Sequence, residues 1–198
     1  MALSLGKLFE NWDKRFETET LDEFRDHLEA SLRRRQKSLD EEYSSLTVEQ
    51  FEDPRDIEGY RMHLDDQMAF SVDVQHLADE LSILALYKQV ELHIKRITKK
   101  NFPNINEKEL FNIGTLKKAL PFDLEALPDF QAFDELRLIN NAIKHEGKVS
   151  EELARKFKSW NEGNKLENLG AVYTRLLPSV KSYVKSFVTS AYENSHKF

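Results

Sequence analysis

Between residues 77 and 97 the apolar side chains recur at helical spacing. Leu77, Leu81 and Leu84, then Ile83, Tyr87, Val90, Ile94 and Ile97, form one wide apolar face. The spacing predicts the central core helix there. Its start lies far upstream, at Asp53 followed by Pro54, an N-cap residue with proline at the first helical position. From that point to Lys100 Gly59 is a weak breaker, so one long helix or two collinear helices are expected, with a kink placed at residues 70–75. Thr20 and Glu23 read as a capping box. They open a helix over about 21–46 that carries Leu21, Phe24, Leu28, Leu32 and Leu39 amid dense charge.

The second half is more broken. A loop spans residues 101–106, with Asn106 or a neighbour capping a helix over 107–113 that Gly114 ends. Pro121 and Pro128 bracket a connection, and a helix runs from about Asp129 to His145, closed by Gly147 in the left-handed conformation. Ser150 opens a short helix to about Trp160, and a last helix follows Pro178 with Val180, Val184, Phe187, Val188 and Ala191 at helical spacing. The pattern is all-α. An N-terminal helical hairpin or extension over residues 1–70 precedes a helical core over 71–198.

Composition supports this picture. Six glycines and five prolines in 198 residues are too few for a many-turned β fold, and 32% charged residues suit helices with broad solvated faces. Cysteine is absent, which excludes thiolate metal sites and cysteine nucleophiles and fits a reducing, cytoplasmic setting. No signal peptide and no membrane span are expected. The net charge of −6 means that any nucleic-acid contact must be a local basic patch. Arg33, Arg34 and Arg35 read first as a solvated helix face, with a phosphate-tracking patch as the sharper reading. The scattered glycines exclude a Gly-rich phosphate loop, and no two histidines share a four-residue helical spacing. Asp73, His76 and Glu80 share a face but read as ordinary surface charge, so neither metal nor cofactor is expected.

Arg137, Asn141 and His145 stand four residues apart on the helix that ends at Gly147. Each step of four advances about 40° past a full turn, so the three make a slowly drifting polar stripe. The negative end of the helix favours an imidazolium at His145, which suits it to general acid or base work. Arg137 offers a planar fork for phosphate. A plain alternative is that Arg137 pairs with a carboxylate such as Glu91 or Glu135 and His145 merely closes the helix.

The run Asn140, Asn141, Lys144, His145 and Gly147, with the apolar helix of residues 84–95 upstream, resembles the HEPN superfamily over about residues 75–188. The resemblance implies an all-α bundle of HEPN type with long antiparallel helices, often a homodimer whose motif helices meet. It implies a metal-independent endoribonuclease of a bacterial defence or toxin–antitoxin system, with RNA and a cognate antitoxin or defence-system protein as partners. In that chemistry the ribose 2′-OH attacks the adjacent phosphodiester, histidine moves the proton and arginine stabilises the charge. Carried over, Arg137, Asn141 and His145 are the catalytic residues, and Asn140, Lys144 and Glu91 orient the phosphate or support the site. In the tight form of the motif the arginine's place holds Asn140, and Arg137 stands about one turn earlier. HEPN domains with incomplete motifs are thought to bind RNA, dimerise or contact proteins, and this is the alternative reading. Glu91 is expected to approach Arg137 or His145. Lys99, Lys100, Lys117, Lys118, Lys144 and Lys148 are candidates for a basic rim.

Overall fold

The computed structural model describes residues 5–110 and 112–195. Among them the regular structure is helical: α1 (Leu5–Asp13), α2 (Glu19–Ser45), α3 (Asp56–Asn101), α4 (Ile113–Ala119), α5 (Phe130–His145), α6 (Glu151–Lys156) and α7 (Leu169–Asn194). A single antiparallel bridge joins Lys148 to Lys165. No helix among the described residues is long and apolar enough to cross a membrane.

The chain forms two compact units. One is residues 19–82, which hold α2 and the first part of α3. Its two helices run antiparallel, because Arg35 donates to Gln67 (2.6 Å) while Tyr60 donates to Glu42 and Arg61 covers the ring of Tyr43. Ser82 is buried at the unit's end, and Ile57, Leu64, Ser71 and Ala78, buried along α3 here, fall at seven-residue intervals. That is the repeat by which two helices keep a common seam. Leu21 is the one buried residue of α2. Thr20 does not open a helix as expected, since α2 begins at Glu19 after buried Thr18 and leaves Thr20 inside it.

The other unit takes the described residues up to Thr18 and those from Ile83 onward. Its core is built by α3, α5 and α7. Ile83, Leu86, Val90, Ile94 and Ile97 are buried along α3, Leu136 and Ile139 along α5, and Val180, Val184 and Phe187 along α7. A ladder of rings crosses it: Tyr87 stacks on Phe133, and Phe133 on Tyr183 with centroids 4.7 Å apart. Leu77 and Leu81 are exposed, contrary to the expected core face. A wide apolar stripe does not reveal which of its edges is covered, and the covered edge is the one through Ile83 and Leu86. No break occurs at residues 70–75, where α3 continues.

Local signals account for most of the ends. Asp53 accepts from the N–H of Arg55 and leads into α3 three residues later. The Asn106 N–H donates to Glu109 Oε2 and its Oδ1 accepts from the Lys108 N–H, around a short 3-10 turn over Glu107–Leu110. The helix expected over 107–113 crosses Phe111, which lies outside the described residues. Gly114 does not end a helix but sits in the first turn of α4, where Asn112 caps its N–H at 2.7 Å. Ser150 caps α6, which stops at Lys156 rather than near Trp160. Pro178 lies inside α7, which starts at Leu169. Proline is a reliable stop only when nothing else holds the helix, and here Leu169, Tyr173 and Leu176 are buried before it.

α1 is tied down through Asp13. Its carboxylate accepts from Lys100 Nζ and from the Tyr192 hydroxyl, each at 2.7 Å. The Asp13 carbonyl accepts from His93 Nε2 at 2.8 Å. Burial, and then the nearby Arg96 guanidinium, hold the His93 imidazole below the usual histidine range against the opposing pull of Asp13. The fold therefore favours the neutral ring. Its contribution is complete above the unfolded value of about 6.5 and is lost as pH falls through the lowered folded value. Urea unfolding between pH 7 and pH 5 is expected to show stability declining in the wild type and a flatter profile in His93→Gln.

Candidate functional site

α5 carries the residues singled out by sequence. Its start at Phe130 follows Asp129 in the left-handed region (φ 61°), a conformation that aspartate tolerates better than most residues. Its end is set by Gly147, also left-handed (φ 64°), whose N–H donates to the Ala142 carbonyl at 2.9 Å. The following residues pair with 163–166, so the exit from α5 is held by backbone bonds from Val149 to Asn164 and from Gly163 to Val149.

Arg137 is an ion-pair residue. Its Nε and Nη2 donate to Asp134 Oδ1 at 2.9 and 2.7 Å, and Nη2 lies 3.5 Å from Glu152 Oε1. Lys156 closes the group, 2.8 Å from Asp134 and 3.0 Å from Glu152. Burial pushes the Asp134 carboxyl up, but Lys156 and Arg137 together overcome it and hold it below the ordinary aspartate value. Arg137 thus reaches back toward the start of α5. His145 lies eight residues on, about 12 Å along the axis at 1.5 Å per residue. The stripe seen in sequence does not bring the guanidinium and the imidazole together within one chain.

Asn140 is 1% exposed. Its Nδ2 donates to Asn141 Oδ1 at 3.2 Å, and its own Oδ1 is buried without a partner. The position that the HEPN resemblance assigns to arginine is therefore interior here. Asn141 is half-buried beside it. His145 and Lys144 are exposed in the last turn, and Lys144 lies over the Tyr87 ring, 5.9 Å from its centroid. Glu91 pairs with Lys95 (2.9 Å) and Lys88 (3.5 Å) on its own helix, and no ion pair joins it to Arg137 or His145 among the described residues. A glutamate with lysines three before and four after it is satisfied locally.

Glu135 is not a partner of Arg137. Two residues apart on a helix, they face different ways. Glu135 is buried and takes a bidentate pair from Arg175 (3.0 and 2.7 Å) and the indole N–H of Trp160 (2.8 Å). Asp134 was not singled out by sequence reasoning, and Glu135 was named only as a possible partner of Arg137, not of Arg175 or Trp160. The three-residue spacing of Asp134 and Arg137 was a usable signal for the first, and nothing local marked the second. Of the basic rim, Lys99, Lys100 and Lys117 are engaged by Glu107, Asp13 and Glu125. Lys118, Lys144 and Lys148 are exposed.

Charge is divided unevenly. Residues 19–82 hold 18 acids against 7 bases, a net −11, whereas the rest of the sequence holds 22 bases against 17 acids, a net +5. The overall −6 hides a basic unit that carries α5. No family model, characterised protein or solved structure matches the chain.

Proposed function

We propose that this chain is a HEPN-like helical module that binds RNA without cutting it. The observation that carries the reading is the withdrawal of Arg137 into the Asp134–Glu152–Lys156 group, about 12 Å along α5 from His145. Supporting it, the unit that holds α5 is net basic, and Lys144, His145 and Lys148 are exposed where α5 ends. Phosphate contacts there need no aligned acid and base. Fluorescence anisotropy with a labelled single-stranded RNA tests this. The logarithm of the affinity is expected to fall linearly with the logarithm of salt concentration, with a slope of roughly 0.7 per phosphate contact. Lys144→Ala with Lys148→Ala should reduce that slope by about 1.4 if each lysine makes one contact. Binding that ignores salt would point to a protein partner instead.

A second reading keeps the ribonuclease of a defence or toxin–antitoxin system. What favours it is the exposed imidazole of His145 at a helix end, before a glycine turn. It requires a homodimer or a partner to supply the phosphate-stabilising cation that Arg137 does not bring to His145 in one chain.

A further inference from the structure

A cavity of about 400 Å³ lies between the end of α1 and α3 around residues 89–96. That volume is within the range of small-ligand sites. Its inner wall is fixed. Phe16 and His93 are both 9% exposed and meet edge to face, 5.6 Å between centroids. The Asp13 carbonyl can only accept, so His93 Nε2 carries the hydrogen and Nδ1 is left as an acceptor, which Arg96 Nη2 approaches at 3.4 Å. His93 thereby steadies a guanidinium whose side chain is still 61% exposed at the cavity mouth.

The mouth has three other marks. Trp12 is 68% exposed and Leu92 52%, so an indole and an aliphatic side chain are open beside each other. Arg15 is exposed and makes no ion pair among the described residues. Gln89 lines the cavity with its Oε1 buried and unpartnered. A carboxamide can turn to present either its oxygen or its NH₂, and an unmet acceptor is a cost that a ligand N–H removes.

We propose that this cavity holds one nucleotide, its base against Trp12 and Leu92 and its phosphate on Arg15 and Arg96. The base edge meets the Gln89 carboxamide. An inorganic anion would leave Trp12 and Leu92 unused, and an aliphatic ligand would leave two guanidiniums and the amide unused. Stacking on an aromatic face combined with arginine contacts is how single-stranded nucleic acid is held without regard to sequence. Glu17 also lines the cavity and repels the phosphate, which places the phosphate toward the arginines. As the seat of one residue of an RNA strand, the site rests on the RNA-binding reading above. As a seat for a free nucleotide, it stands apart from it.

Isothermal titration calorimetry on the full chain tests the site with two probes, AMP and a single-stranded RNA hexamer. The variants are Trp12→Ala, the double variant Arg15→Ala with Arg96→Ala, and Glu17→Gln. Trp12 is far from buried, so its variant keeps the fold, and thermal unfolding verifies this for each protein. About a tenfold loss of affinity is expected in Trp12→Ala. A similar loss is expected in the double variant, and a severalfold gain in Glu17→Gln. Losses with both probes, or with the hexamer alone, support the site with RNA as the source. Losses with AMP, while hexamer binding is absent or unchanged, support the site with a free nucleotide as the source. Hexamer binding unchanged in Trp12→Ala and in the double variant, with AMP either unbound or equally unchanged, overturns the site and leaves the RNA-binding reading standing. Failure of both probes to bind at millimolar concentration overturns both.

Discussion

Asp134→Ala is expected to cost about 3 kcal/mol of stability, the scale for breaking a buried ion pair on one side. Asp134 is 4% exposed and is shared by Arg137 and Lys156. Removing it strands the Arg137 guanidinium, whose side chain is 14% exposed, with a 3.5 Å contact to Glu152 in place of two short bonds. Lys156 and Glu152 are far more exposed and re-solvate at little cost, so most of the loss comes from Arg137. Urea unfolding at pH 7 measures it, and a loss under about 1 kcal/mol would show that the group is not a stabilising one. The pH dependence has a definite sign. The folded carboxyl lies below its ordinary value, so its stabilisation is present above the usual aspartate range and disappears as pH falls through the lowered value. The difference between wild type and Asp134→Ala should shrink accordingly in acid.

Asn140→Arg, which would place an arginine where the HEPN resemblance expects one, is expected to destabilise by about 3 kcal/mol or more instead of creating activity. Position 140 is 1% exposed, between fully buried Ile139 and Asn141, on a helix packed against α7. A guanidinium there needs both space and partners. Asn140 now bonds to Asn141 Oδ1, and no carboxylate bonds to it among the described residues. An unpaired buried charge costs several kcal/mol, and the larger side chain adds strain in a packed interior. Asn140→Leu, by contrast, removes a buried Oδ1 that has no partner, and should be close to neutral. Thermal unfolding of the two variants separates these outcomes. A stable Asn140→Arg protein that cleaves RNA would show that the position can open toward solvent.

What sequence could reveal was set by how local each cause is. The end of α5 at His145 and the left-handed Gly147 were legible because a helix stop depends on a few adjacent residues. Asp53 and Ser150 were legible for the same reason. The stripe of Arg137, Asn141 and His145 is real as helix geometry, but geometry of the backbone does not say where a long side chain turns. Arg137 turned back to Asp134 because that carboxylate is one helical turn away and Glu152 adds a second from α6. The Glu135–Arg175 pair spans forty residues and leaves no mark in either local pattern. Exposure of Leu77 and Leu81 could not be read from periodicity, which gives a face and not its cover. The charge division became visible only once the boundary at residues 82 and 83 was known. Leu5, Leu8, Phe9 and Trp12 of α1 form only a short apolar stripe, and the cavity beside it depends on His93 and Arg96 eighty residues away.

Under the proposed function, this molecule binds RNA at a site that does not assemble Arg137 with His145. Incubating a labelled mixed RNA in EDTA with wild type, His145→Ala and Arg137→Ala, at concentrations where anisotropy shows the RNA bound, tests it most directly. Intact RNA with all three proteins is the predicted result. Metal-independent cleavage by wild type that is lost in both variants would contradict it and establish the ribonuclease.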